Sequence, residues 1–293
     1  MSQTERTRAV RIRAKATGQS YQVALESPYV EPTSAQRELE SLFLRTLGTL
    51  WYEPAPEQES SSGIVSVEPR HSSLTVHLGR DTRLGDVGEL ILPKFVDEST
   101  PEPPSDVEIY GIPGLRMSAH PAGTRLYRPG ISAELILARV RPSDLDIAPR
   151  DHTFYLGDIH PDSWSRQELD FEKRYPLSLG LDIESEMLRR LGIFRAAGAW
   201  SAHTWRTAWP SSHAIEIAFE QKVTKEQAEF LRTELMSKHL TPQLTLDRFE
   251  APRGDSGRAY FELSMPDSGH SVEVRLEHHP RPSRDSWSFA KRT

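Results

Sequence analysis

The chain of 293 residues contains no cysteine. Disulfides, iron–sulfur clusters, thiolate zinc sites and cysteine nucleophiles are thereby excluded, and any metal would have to be held by His, Asp or Glu. Lysine is scarce, with seven against 29 arginines. No apolar run approaches the roughly 20 residues that a membrane-spanning helix needs. Behind Met1-Ser2-Gln3-Thr4-Glu5-Arg6 there is no apolar stretch of the kind a secretory leader carries, so the expectation is a soluble, cytoplasmic protein with no membrane association. Also missing are the Walker loop, Gly-x-Gly-x-x-Gly, Gly-x-Ser-x-Gly and His-Glu-x-x-His, the common templates for nucleotide binding, serine hydrolysis and zinc proteolysis. No cofactor is expected.

What is present begins with charge. The net charge of −6 is spread unevenly, because both ends are basic. Val10, Ile12 and Ala14 alternate with Arg11, Arg13 and Lys15, which predicts a half-buried strand with one charged face. Arg8, Arg11 and Arg13, joined by the basic C-terminal tail, offer a surface that could contact nucleic-acid phosphates.

The pattern along the chain predicts an α+β fold of two pseudo-repeated strand–helix–strand–strand units with mainly antiparallel sheets, separated by irregular β structure and a helical insertion. The repeat is read from two helix starts. A strand-like segment from Tyr21 to Leu25 leads into Thr33-Ser34-Ala35-Gln36, and another from Ala214 to Phe219 leads into Thr224-Lys225-Glu226-Gln227. Thr three residues before Gln is a capping box, in which each side chain satisfies the other's backbone amide. After Thr33 an apolar stripe of Leu39, Leu42, Phe43 and Leu47 should face a sheet. Ile64 to Val67 and Leu74 to Leu78 read as a strand pair, Leu90 to Val96 as a further strand, and Ser165 to Glu168 as another helix cap. Asp182 opens a helix with Glu184 and Glu186 in its first turn and Arg189 and Arg190 in its last, as a helix dipole prefers. The acidic, proline-rich stretch 97–106 is the expected boundary. It separates an N-terminal unit, 1–96, from a C-terminal region, 107–279, followed by a flexible basic tail, 280–293. Ferredoxin-like halves and the βαβββ modules of vicinal-oxygen-chelate proteins fit such an element order.

Three constellations carry potential chemistry. His71-Ser72-Ser73 and His239-Leu240-Thr241 each place a hydroxyl two residues after a histidine, on one face if both are strands. This arrangement resembles the two His-x-Thr/Ser motifs of the 2H phosphoesterases, and the resemblance implies a cleft in which one imidazole acts as base and the other as acid on a phosphodiester. Asp158, His160 and Asp162, with Asp151 and His152 just upstream, are hard or borderline ligands at a spacing that would suit a zinc, manganese or iron site. Gly157-Asp158-Ile159-His160 is similar to the metal-binding opening of calcineurin-like phosphoesterases, whose downstream Gly-Asn-His-Asp/Glu motif the chain lacks. Trp200, His203, Trp205 and Trp209 form an aromatic–histidine cluster of the type enriched at protein interfaces. The leading expectation is therefore a non-catalytic interaction protein, such as an immunity, inhibitor or complex-assembly subunit, that meets a protein partner through this cluster. A hydrolase using the histidine pairs or the Asp158 group stands second, and a nucleic-acid-binding accessory protein third. No pattern speaks to oligomeric state.

Overall fold

The computed structural model describes residues 3–26, 29–52, 63–80, 82–96, 109–145, 153–174, 182–206, 212–252, 257–266 and 271–280. The chain begins with α1 (Gln3–Thr17), α2 (Tyr21–Glu26) and α3 (Ser34–Leu47), then enters β1 (Thr49–Tyr52). A first hairpin, β2 (Ile64–Pro69) and β3 (Ser73–Leu78), leads through α4 (Leu84–Ile91) and β4 (Lys94–Val96) into a meander of β5 (Arg116–His120), β6 (Gly123–Tyr127) and β7 (Glu134–Ala138). After β8 (Thr153–Tyr155) come α5 (Leu156–Ile159), α6 (Arg166–Arg174), α7 (Asp182–Arg189) and α8 (Leu191–Ala196). A second hairpin, β9 (Ser201–Arg206) and β10 (Ser212–Phe219), leads through α9 (Lys225–Leu235) into a second meander of β11 (Thr245–Glu250), β12 (Ala259–Ser264) and β13 (Ser271–His278). The fold is α+β.

The two large sheets share a topology. Their orders are β2-β3-β7-β6-β5 and β1-β9-β10-β13-β12-β11. In each, the last strand of the meander lies parallel to the second strand of the hairpin, and the other pairings are antiparallel. A parallel return needs a long crossover, which α4 and α9 begin in their respective sheets. By position in the topology the counterpart of α9 is thus α4, not α3. Strands from 1–96 lie beside strands from 107–279 in both sheets, and one apolar cluster runs through both.

The capped helices form where the threonines place them, but the caps differ. Thr224 and Gln227 close a full box, with Gln227 N–H donating to Thr224 Oγ1 at 3.1 Å and Thr224 N–H to Gln227 Oε1 at 2.9 Å. Thr33 Oγ1 likewise accepts from Gln36 N–H at 3.1 Å. The Gln36 side chain, however, bonds Glu134 N–H and C=O, each at 3.0 Å, and so clips the start of α3 to β7.

Several sequence expectations are corrected. Residues 10–15 are helical within α1: Val10, Ile12, Ala16 and Thr17 are buried, and the i to i+4 pair Ile12 and Ala16 outweighs a three-residue alternation. Arg11 and Arg13 therefore do not share a face. Tyr21–Glu26 is α2, started by Ser20 Oγ accepting from Val23 N–H at 3.3 Å, so among the described residues no strand precedes α3. The segment Leu90 to Val96 ends α4 before it becomes β4. The stretch 97–106 and the tail from 281 lie outside the described residues.

At the centre stands α7, whose charges do not serve the helix dipole. Glu184, Glu186, Arg189 and Arg190 are all fully buried. Arg189 grips Glu40 of α3 through Nε at 2.7 Å and Nη2 at 2.6 Å, and also donates to Val30 C=O and Arg70 C=O. Glu40 is completed by Gln36 Nε2 at 2.8 Å and Ser185 Oγ at 2.6 Å. Arg190 turns the other way, to Pro242 C=O and to Glu186 at 3.4 Å. Two adjacent arginines thus tie α7 to the first hairpin on one side and to the loop before β11 on the other.

Candidate functional site

A cavity of about 390 Å³ opens where the edge strand β5 faces the ribbon β4–β8 and α5. Leu92, Pro93, Leu115 and Met117 supply apolar walls, and Tyr155, Asp158 and Arg116 supply polar groups. Register explains Tyr155: it pairs with Lys94, which also bridges Tyr110, so the three share one face of the ribbon while Phe95 and Ile109 turn into a small core with Leu156.

The wall is held by a buried clamp. Arg116 forms a fork with Glu168 at 3.0 and 2.8 Å, and donates to the carbonyls of Leu115, His160 and Ser163 at 2.8, 2.6 and 2.6 Å. Glu168 accepts further from Gly114 N–H at 2.7 Å and Ser165 N–H at 2.8 Å. Burial works to raise the Glu168 pKa, but hydrogen bonds from Arg116 and Ser165 and the Arg116 charge outweigh it and hold the carboxyl below its usual range. Beside the clamp, Trp164 lies against Gly114, whose φ of 75° and whose distance of 2.5 Å from an added Cβ to the indole leave room for glycine alone. Arg128 stacks on Trp164 at 4.5 Å and reaches Glu38 of α3 at 2.6 Å.

Exposed apolar side chains gather around this region. Of the eight large hydrophobic residues that stand exposed among the described residues, Leu90 lies on α4 two residues before Leu92 of the lining, Tyr110 bridges Lys94 of the ribbon, Ile159 follows Asp158 on α5, and Leu169 follows Glu168 of the clamp on α6. The other four are Tyr21, Val23 and Leu25 on α2, and Val65 on β2.

The residues singled out from sequence are dispersed. His71 lies exposed in the turn of the first hairpin, with Nδ1 2.8 Å from Glu31 O, and Ser73 is the first residue of β3. His239 and Thr241 sit in the loop after α9, before a cis Thr241–Pro242 bond. Neither pair forms the expected strand dyad, since only Ser73 is in a strand. Asp158 lines the cavity, but on α5 rather than a strand, while His160 caps that helix and Asp162 is exposed in the turn beyond. Among the described residues no group of three or more His, Asp and Glu side chains is placed to hold a metal ion. Asp151, His152 and Trp209 lie outside the described residues.

Trp200 is 5 % exposed and its indole N–H donates to His279 C=O at 2.9 Å, so it packs across the end of the second sheet. Trp200→Phe, which loses the donor and one of the two fused rings from a buried site, is expected to cost more than about 1 kcal/mol by thermal denaturation, hydrogen bond and packing together; no loss at all would mean that neither contributes. His203 on β9 contacts Ser201 Oγ at 2.7 Å. Burial pushes its pKa down, opposed by Glu216 and reinforced by His279. Trp205 pairs with Ala214 through the β9 backbone. Arg8 and Arg11 are exposed on α1, whereas Arg13 is partly buried, its pKa lowered by burial and by Arg6.

The cavity was invisible in the sequence because its lining comes from 92–93, 115–117 and 155–161, brought together only by the ribbon register. Comparison with protein-family models, curated proteins and solved structures finds no match to this chain.

Proposed function

We propose that the chain is a non-catalytic protein-interaction module, an inhibitor, immunity or assembly subunit, and that it meets its partner through the surface around the cavity at β5 and α5 rather than through the tryptophan cluster. The observation that carries this reading is that Leu90, Tyr110, Ile159 and Leu169 stand exposed beside residues that line or support one apolar-walled cavity. Exposed apolar groups grouped around a concavity are the ordinary form of a docking surface. The chemistry of the wall supports the same reading. All three nitrogens of Arg116 are engaged with Glu168 or main-chain carbonyls, which makes it a support for the surface rather than a reactive group.

The test is a photo-crosslinking amino acid placed in vivo at position 159 or 169, with position 8 as control. Partner adducts are expected from 159 and 169 only, and Ile159→Arg with Leu169→Arg should abolish co-purification of that partner while leaving the melting temperature unchanged. Retained co-purification in the folded double variant would remove this surface from consideration.

A further inference from the structure

The opposite end of the first sheet carries a second recess, of about 530 Å³, unrelated to the docking surface. Its position follows from register. Ser73 pairs with Glu134 and Val76 with Leu137, so Leu78 and Arg139 fall on one rung at the carboxyl ends of the parallel strands β3 and β7. In sheets with parallel strands, ligands bind beyond those carboxyl ends, where the departing loops leave a crevice. The cavity at β5 lies at the other end, since Arg116 shares its rung with Tyr127 and Glu134.

The lining is basic. Arg80, in the loop leaving β3, and Arg139, just past β7, both line the recess and stand exposed. Neither guanidinium has an ion pair or hydrogen bond among the described residues. Elsewhere arginines find carboxylates readily: Arg37 with Glu31, Arg125 with Glu134, Arg232 with Glu229. Arg139 also has a φ of 62°, a left-handed conformation that a side chain of this kind rarely adopts. Glu68, on β2, is engaged by His77 Nε2 at 2.8 Å. Thr82 Oγ1 accepts from Gly63 N–H at 3.3 Å, which leaves its hydroxyl proton to donate. Leu78, Leu84 and Val140 give the recess an apolar floor.

The second sheet shows the same end filled. There Phe219 and His278 end the parallel pair, Trp200 covers them with its N–H on His279 C=O, and His278 Nε2 lies 3.1 Å from Glu220 O. Equivalent topology is closed by an indole in one sheet and open in the other, with two guanidiniums that have no partner among the described residues.

We propose that this recess binds a small organic phosphate, with the phosphate held between Arg80 and Arg139 and its apolar body lying on Leu84 and Val140. Two guanidiniums match the charge of about −2 on a phosphomonoester, and the planar fork fits its oxygens in pairs. A recess of this size is within the range of small-molecule sites.

Calorimetric titration of the full chain with phenyl phosphate tests the site, with inorganic phosphate and benzoate as separate arms. Saturable binding of phenyl phosphate is expected, tighter than that of either comparator. Arg80→Gln and Arg139→Gln should each weaken it about tenfold, the scale of one charge-assisted hydrogen-bond pair. Arg139→Gly relaxes the backbone and should weaken binding as much as Arg139→Gln, which assigns the loss to the guanidinium. Leu169→Arg, at the docking surface, should leave binding unchanged, so the two sites fail or stand separately. Absence of saturation at about 1 mM, equal affinity for benzoate, or unchanged binding in a folded Arg80→Gln, Arg139→Gln double variant would each overturn the assignment.

Discussion

Arg189→Ala is expected to lower the unfolding free energy by about 3–5 kcal/mol, as breaking a buried ion pair does. The cause is not the lost attraction alone. Glu40 is fully buried and accepts from Arg189 Nε and Nη2, Gln36 and Ser185, and truncation of Arg189 leaves that side chain in the core without its ion-pair partner. The same truncation frees the carbonyls of Val30 and Arg70, and with them the anchorage of the first hairpin. Chemical denaturation measures the loss, and a cost below about 1 kcal/mol, the level of an exposed ion pair, would contradict the role given to the network. Glu40→Leu with Arg189→Met, which removes both charges and keeps volume, should be closer to wild type than either single truncation. Such non-additivity is the signature of a coupled pair.

The second large effect concerns Arg116 and Glu168. Arg116→Ala is expected to cost about 3–5 kcal/mol for the same reason, an orphaned buried carboxylate, and to loosen the wall of the docking surface. It also changes how stability depends on acid. The Glu168 pKa is lowered in the folded protein, so its contribution is fully present above the unfolded carboxyl value of about 4.3 and is lost as pH falls through the lower, folded value. Glu186 acts with the opposite sign: burial raises its pKa against the pull of Arg190 and Arg189, so it favours the folded state at low pH and that contribution fades as pH rises through its folded value. Unfolding free energies measured from neutral pH down to below about pH 4 should therefore fall more steeply in wild type than in Glu168→Gln. An identical acid slope in the two proteins would show that Glu168 is not held ionised by the clamp.

Local chemistry was readable from the residues where one segment decides the outcome. Thr224 and Gln227 announce α9, Thr33 announces α3, and Ser165 with Glu168 announces α6, because a cap needs only its own neighbours. The same rule misled wherever a second bond partner lay far away. Gln36 was read as the return half of a box, yet its amide is claimed by Glu134, 98 residues on. Glu184, Glu186, Arg189 and Arg190 have the order a surface helix dipole favours, and nothing local distinguishes that from a helix buried on all sides with its charges paired to α3 and two loops. The convergence of Arg80 and Arg139 has no local signal, since it exists only through the parallel register of β3 and β7. The histidine pairs fail for the converse reason: their spacing satisfied a motif, but His71 and His239 fall in turns.

The reach of α3 across the chain also has a consequence for how the protein is made. On the ribosome the first sheet can close once β7 has emerged, since β3 pairs within about 60 residues of itself, a modest loop-closure cost. Glu40 must then wait for Arg189, 149 positions later, and β1 for its neighbour β9. Until α7 and then β9 leave the exit tunnel, a nascent chain carries a completed sheet beside a carboxylate without its cation and an edge strand without its mate, a state prone to wrong pairing. A chain truncated between β7 and α7 is therefore expected to bind chaperones more than one that extends past β9.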